Sequence, residues 1–477
     1  MIPSNTLEAA LDSTEVPSSV YYKLIDAVHA KRGLFFVDLP ANHTGWASTL
    51  QTHHPDWFHR EGDGRFISPG AWGVTWEDLV ELDYSHTELR AYMADVFLFW
   101  CRRGVDGFRC DAGYMISEET WTYIVARVRE EYPDTVFMLE GLGGKLEVTD
   151  ALLSRSGLDW AYSELFQTYT RDQFQWYLPA ALERSRKFGA LVHFAETHDN
   201  DRLAKNGKTY AKLRVMLAAL LSQQGAWGMA NGVEWFATEK IDVHDASALN
   251  WGAKENMVAL IAKLNGILSR NALFAGGATL RLATTGGGNT LAVVRKLEKT
   301  GEKALILANL DCGKPVEIEW DEELFPLPAS GSLYDLVGDR ALEARRNRLW
   351  LALGEVLCLC ENTPAAGCPA KTPAALVKKT GGWIEEDRLA EHFSSWTWPQ
   401  DVRRVVVVPQ TAGLEISCPF AFRAEVKSAD CTVAFASCRK GEKARLHLPP
   451  YRGDGTALDK YVLRMVLFTP EGVKRTA

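Results

Sequence analysis

Residues 18 to 271 alternate between two periodicities, and few architectures accept that alternation. Runs at 34–38, 107–111, 135–140, 158–162, 190–196 and 226–230 are short and almost wholly apolar, as strands buried on both faces are. Between them stand stretches with apolar residues at i, i+3, i+4 and i+7, the one-sided stripe of a helix. The stripes are Tyr21, Leu24, Ile25 and Val28; Leu89, Tyr92, Met93, Val96 and Phe97; Trp121, Ile124, Val125 and Val128; Leu213, Met216, Leu217 and Leu220; and Met257, Leu260, Ile261 and Leu264. Strands alternating with helices make a parallel sheet. The expected fold class is therefore α/β, a TIM-type (β/α)8 barrel. Six strands are read where a closed barrel of that class has eight, so the barrel is expected to lack its first strands and the chain to be N-terminally truncated. The runs 34–38 and 226–230 would then be unpaired sheet edges, with poor solubility and little activity as the expected result.

The barrel is expected over residues 1–272. Within it, 44–83 carries Trp46, Trp57, Trp72 and Trp76 with several Gly and Pro. It is too long for a plain βα loop and reads as a functional insertion after the third barrel strand. After Asn271 the period drops to two, as at 279–282 and 305–307, with a Gly-rich turn at 285–289. This gives an antiparallel β-sandwich over 273–362. A linker rich in Pro, Ala, Gly and Lys follows at 363–382, and the runs 405–408, 431–436 and 461–468 place an additional β-rich module over 383–477.

The formal charge of the 477 residues is −8, with 53 Lys and Arg against 61 Asp and Glu. No basic face is available for a phosphate backbone, which excludes nucleic acid as a partner. Nothing near Met1 has the form of a secretory leader, and no run approaches the roughly 20 apolar residues of a membrane span. A cytoplasmic protein with no membrane partner is expected. The nine cysteines are odd in number and contain no C-x-x-C, so they read as free buried thiols rather than metal ligands. His53, His54 and His59 lie beside Asp56 in an irregular stretch without metal-ligand spacing. No metal is expected there. Sixteen Trp are many for this length, and their flat faces suit the C–H faces of sugars as well as they suit cores.

Four strand ends carry polar groups: Asp38, Asn42 and His43; Arg109 and Asp111; Glu140; and His198 with Asp199. The chemistry of such barrels sits at the C-terminal strand ends. Taken singly each group is ambiguous, since Arg109 and Asp111 are two apart on one strand face and could form a structural ion pair. Their order along the chain says more. The stretches F-F-V-D-L-P-A-N-H at 35–43, G-F-R-C-D at 107–111, F-M-L-E-G at 137–141 and F-A-E-T-H-D-N at 194–200 resemble the four sequence blocks of glycoside hydrolase family 13, the α-amylase family, in that family's order. The resemblance covers roughly residues 18–360. L-D-Y-S at 82–85 and L-D-W-A-Y-S-E-L-F at 158–166 extend it. The wording of F-M-L-E-G-L-G-G, F-A-E-T-H-D-N-D-R-L and N-G-V-E-W-F-A-T-E-K at 231–240 looks more like bacterial glycogen-debranching-related proteins than secreted amylases.

The resemblance implies a retaining enzyme acting on an α-glucan or maltooligosaccharide, by hydrolysis or by transfer. Retention takes two carboxyl groups about 5 to 5.5 Å apart on opposite sides of the anomeric carbon. By resemblance, Asp111 is the nucleophile, held ionised and aimed by Arg109, and Glu140 is the acid and then the base. The apolar approach 136–139 and nearby carboxylates would keep Glu140 protonated. Asp199 would grip sugar hydroxyls as the ring flattens, His43 and His198 would donate hydrogen bonds to the same sugar, and Asp38 would orient Arg109 or the strand. No cofactor is implied; in many family members the Asn equivalent to Asn42 helps bind a structural calcium, which one oxygen ligand leaves open but does not predict. The alternative reading is a non-catalytic glucan-binding or regulatory remnant, because the missing strands supply part of the family's sugar site.

Overall fold

The computed structural model describes residues 18–222, 226–242, 248–274 and 278–361, together with seven strand segments between 406 and 476. The first 17 residues and the expected linker at 363–382 lie outside the described residues. The chain divides into two compact units, Met1–Asp159 with Lys378–Ala477, and Trp160–Val377.

The first unit begins α1 (Ser18–Ala30), β1 (Phe36–Pro40), α2 (Thr87–Cys101), β2 (Gly107–Asp111), α3 (Glu118–Glu131), β3 (Val136–Leu139) and α4 (Leu146–Ser154). β1 lies parallel to β2 and β2 parallel to β3, with Val37, Phe108 and Phe137 in register and Asp38 beside Arg109. Leu89, Met93 and Phe97 of α2 and Trp121, Ile124, Val125 and Val128 of α3 are buried. Phe97 meets Phe108 edge-on at 4.7 Å and Trp121 at 6.0 Å. Burying each of these side chains contributes about 1.5–3 kcal/mol, and the layer they form fixes where β2 and β3 end. In α1 Ile25 is buried while Leu24, expected on the same stripe, is exposed. Arg129 of α3 pins the start of β3. It donates to Asp159 at 2.5 Å and to the carbonyls of Thr135 and Gly157, while Asp159 also accepts from the Phe137 N–H at 2.9 Å.

The segment after β1 folds back on itself. His43–Gly45 pairs antiparallel with Leu79–Glu81, and Gly70–Ala71 with Val74–Thr75 in a tight hairpin. Trp57 and Phe58 are its buried anchors, and Tyr84 donates to the Ala41 carbonyl at 2.6 Å. The C-terminal part of this unit is antiparallel, with a four-stranded sheet in the order Cys431–Cys438, Ala421–Ser428, Val462–Thr469, Gly472–Thr476 and a three-stranded sheet of Val406–Gln410, Gly413–Ser417 and Lys443–His447.

The second unit begins β4 (Trp160–Ser163), α5 (Arg171–Lys187), β5 (Ala190–Phe194), α6 (Lys208–Leu220), β6 (Trp227–Gly228) and α7 (Val258–Arg270). β4, β5 and β6 are parallel in that order. Thr170 and Gln173 close a reciprocal cap on α5. α6 is buried at every residue from Leu213 to Leu220, all of them apolar except Arg214, which donates to the carbonyls of Leu165 and Thr168.

Antiparallel strands follow: β7 (Ala278–Leu282), β8 (Thr290–Leu297), β9 (Lys303–Asn309), β10 (Val316–Trp320), β11 (Ser332–Asp335), β12 (Arg340–Glu343), β13 (Arg348–Leu351) and β14 (Val356–Cys360). One sheet runs β7-β8-β9-β14-β11-β12, and a second sets Thr284–Thr285, β10 and β13 side by side. Alternate residues of β8 feed two cores. Leu291 and Val293 join Leu217, Leu264 and Phe274, whereas Ala292 and Val294 join Trp320 and Phe325 of the other layer. Arg295, fully buried, donates to the carbonyls of Leu220, Ser222 and Leu273.

Candidate active site

Arg109 is the hub of the first unit's strand ends. It points off β2 between β1 and β3, and its Nη1 bonds both oxygens of Asp38 at 2.8 Å and also Asp111. Nη2 lies 3.2 Å from Glu140 Oε2. Asp111 and Glu140 therefore sit no farther apart than one guanidinium and two contacts. The hub is nearly buried, but Asp38 and Asp111 face outward with side chains 52% and 26% exposed.

The residue after Asp111 shapes this cluster. Ala112 is buried in a left-handed backbone conformation, φ 43°, which costs an L-residue on the order of 1 kcal/mol. That turn aims its N–H at Glu140 Oε2, 2.7 Å away. Next to it Gly113 has room for no side chain, since a Cβ would strike Leu139, and its carbonyl accepts from the Trp121 indole at 2.8 Å. Glu140 thus faces a guanidinium and a backbone N–H. Its surroundings are more polar than its apolar approach along β3 suggests, and both contacts stabilise a carboxylate rather than a carboxylic acid.

Tyr114 belongs to the site although the sequence reading passed over it. Its phenol is pushed up to about 12, by burial first and then by the negative charges of Glu140 and Asp111, so it stands beside both carboxylates as a neutral hydroxyl. Its position three residues past Asp111 was the only signal available.

His43 is partly buried, with Trp76 edge-on at 6.3 Å. Burial draws its imidazole below the usual histidine range, against the opposing pull of Asp111 and Asp78. Nδ1 lies 2.8 Å from Asn42 Oδ1. A carboxamide oxygen only accepts, so Nδ1 carries the proton and Nε2 of the neutral ring is an acceptor. The ring would then receive a hydrogen bond from a sugar hydroxyl where the sequence reading had it donate one. Asn42 is buried, its oxygen facing His43 and its amide donating to Met115 Sδ at 3.2 Å. Among the described residues no group of three or more His, Cys, Asp or Glu could hold a metal ion. His54 stacks on Trp57 at 3.8 Å and His59 lies 3.8 Å from Asp83, so these histidines are used within their own loop.

His198 and Asp199 belong to the second unit, on the loop after β5. His198 Nε2 lies 3.4 Å from Asp199 Oδ1, and the Asp199 side chain is 58% exposed. The loop is held by a pair that the sequence reading did not single out. Arg202 Nε lies 2.7 Å from Glu196 Oε1, Arg202 Nη2 donates to the Asn231 carbonyl at 2.7 Å, and Glu196 Oε2 accepts from the Leu203 N–H at 2.6 Å. Burial pushes the Glu196 carboxyl up, while Leu203 and Arg202 draw it down.

Comparison with known proteins adds to this geometry. The family description "Alpha amylase, catalytic domain" matches residues 20–138. The chain is similar to the α-1,4-glucan:maltose-1-phosphate maltosyltransferase of Rhodospirillum rubrum, 27% identical over 278 residues that make up 54% of this chain and 39% of that protein. A protein of the same name from Picrophilus torridus is 22% identical over 273 residues, 54% of this chain and 42% of that one. The chain thus spans about four tenths of the length of these relatives. Among solved structures, an α-amylase from Lactobacillus plantarum superposes with a TM-score of 0.59 at 23% identity, over 72% of this chain and 82% of that one. An α-amylase from Geobacillus thermoleovorans, complexed with acarbose, gives 0.58 at 18% identity over 72% and 80%. The fold is that of the α-amylases, with barrel-type parallel strands followed by antiparallel sheets. Residues 20–138, which bear Asp38, Arg109 and Asp111, match the catalytic-domain description, and the relatives and the fold agree with it: this segment is similar to the catalytic domain of the α-amylase family.

Proposed function

We propose that this chain is a retaining enzyme that cleaves or transfers α-1,4-glucosyl units of glycogen or maltodextrin, with Asp111 as nucleophile and Glu140 as acid and base. The observation that carries this reading is the convergence of Asp111 and Glu140 on one guanidinium, which suits the short carboxyl separation of a retaining mechanism. In the first step Glu140 gives its proton to the glycosidic oxygen while Asp111 attacks the anomeric carbon. The bond to the leaving sugar breaks and a glycosyl ester forms. In the second step Glu140 takes a proton from water or a sugar hydroxyl, that oxygen attacks the same carbon, and the ester bond to Asp111 breaks. Arg109 aims the Asp111 carboxylate for attack and receives it again when the ester breaks, and Asp38 holds Arg109. Asp199 and His198 bind sugar hydroxyls, and His43 accepts one.

Arg109 and the Ala112 N–H stabilise the carboxylate that the second step needs, and a bound sugar that displaces water supplies the desolvation that favours the acid of the first step. The names of the relatives favour transfer over hydrolysis. The free thiols Cys101, Cys110, Cys312, Cys358, Cys360 and Cys418 among the described residues support a cytoplasmic setting.

The test is incubation with maltoheptaose, alone and with maltose 1-phosphate, followed by product analysis and by mass spectrometry after trapping with a 5-fluoro glycosyl fluoride. Longer or shorter oligosaccharides and a label on Asp111 are expected. Unchanged maltoheptaose under every condition, or a label on another residue, would overturn the proposal.

A further inference from the structure

Trp72 stands at the tip of the Gly70–Ala71/Val74–Thr75 hairpin, 69% exposed. Its φ is 55° and that of Gly73 is 77°, so two left-handed residues in succession form a two-residue turn that normally takes Asn and Gly. A bulky aromatic is uncommon in that backbone conformation, and this one does not serve the core. The indole lies directly over Gly143, where any side chain would collide with it, and Gly144 lies in the same way against the ring of Tyr114. Tyr114 in turn feels the charges of Glu140 and Asp111. A flat, water-exposed ring is thus docked on the turn three residues beyond Glu140.

We infer that Trp72 is a sugar-stacking platform for the glucosyl unit on the leaving-group side of the cleaved bond, and for the acceptor sugar that takes its place. The inference rests on the proposed function. An acid delivers its proton to the oxygen of the departing sugar, so that sugar and any incoming acceptor lie along the acid's side of the site. The turn after Glu140 is that side, and the apolar C–H face of a glucopyranose matches an indole face. Gly143 and Gly144 let both aromatic rings approach the chain closely.

The experiment compares the wild type with Trp72→Ala and Trp72→Phe on two substrates: maltoheptaose, which places sugars on the leaving-group side, and α-maltosyl fluoride, whose leaving group is a single atom. Trp72→Ala should raise KM for maltoheptaose roughly tenfold, the size of one aromatic stacking contact, with a smaller change on the fluoride. Trp72→Phe should recover most of the loss. Equal effects on both substrates, or no effect on maltoheptaose, would overturn the inference while leaving the proposed function standing. A wild type that turns over neither substrate would sink the function, and the platform with it.

Discussion

Two arginines at motif-bearing strand ends make opposite use of the same charge. Arg202 in the second unit is 0% exposed, faces the carboxylate of Glu196, whose side chain is 2% exposed, and donates to the Asn231 carbonyl. Arg109 in the first unit faces three carboxylates, two of them open to water. The balanced pair is sealed and fixes a loop. The cluster on Arg109 sets three carboxylates around one guanidinium, a crowding of ionisable groups that is retained where they have work at a surface. Charge balance and exposure together separate the holding role from the chemical one, although both arginines lie in or beside family-like motifs.

The largest expected effect tests the chemical side. Asp111→Ala should reduce turnover of maltoheptaose by roughly 10⁴-fold or more, while its melting temperature stays near that of the wild type because Arg109 keeps Asp38 and Glu140. A melting temperature that falls as steeply as activity would place Arg109 with the holding arginines.

Glu196→Ala tests the other side. It strands a fully buried guanidinium, so about 3–5 kcal/mol of stability should be lost in denaturant titration, with activity falling as a consequence. Loss of activity at full stability would erase the contrast.

A third effect sharpens the picture of the second unit as a sealed interior. His193 on β5 is fully buried and bonded to Ser163 Oγ at 2.7 Å, and burial pulls its pKa down to about 4. The unfolded chain takes up this proton near pH 6.5 while the folded one waits until about pH 4, so the stability it confers is complete above 6.5 and is lost as the pH falls toward 4. The loss amounts to about 3 kcal/mol. Unfolding midpoints at pH 7 and pH 4.5 should differ less in His193→Gln than in the wild type. Equal shifts would show that water reaches the ring.

The parallel strands were legible because apolar runs buried on both faces have few other uses, and α2, α3, α6 and α7 because their stripes are strong. α5 was not. It buries only Phe174, Leu178 and Ala181 in 17 residues and contains Pro179, so it carries no continuous stripe to read. Nine-residue α4 is too short to show one. Asp38, Arg109, Asp111 and Glu140 could be nominated from motif order. The Arg202–Glu196 pair, Tyr114 and the N–H of Ala112 could not, because each depends on how a loop turns back. The apolar run before Glu140 pointed to a dry environment, and the backbone of the neighbouring strand end supplies a donor that no side-chain pattern encodes.

Ala112 joins the two carboxyl groups without any functional group of its own. Only its backbone matters, and the angle it must hold is one that glycine or asparagine adopts readily and that valine, isoleucine and threonine resist. Mutational drift at this position would therefore be confined by shape alone. A branched residue there would leave every acid and base of the cluster in the sequence and still swing the N–H away from Glu140, so that an inventory of reactive side chains would count the site intact after its alignment had gone.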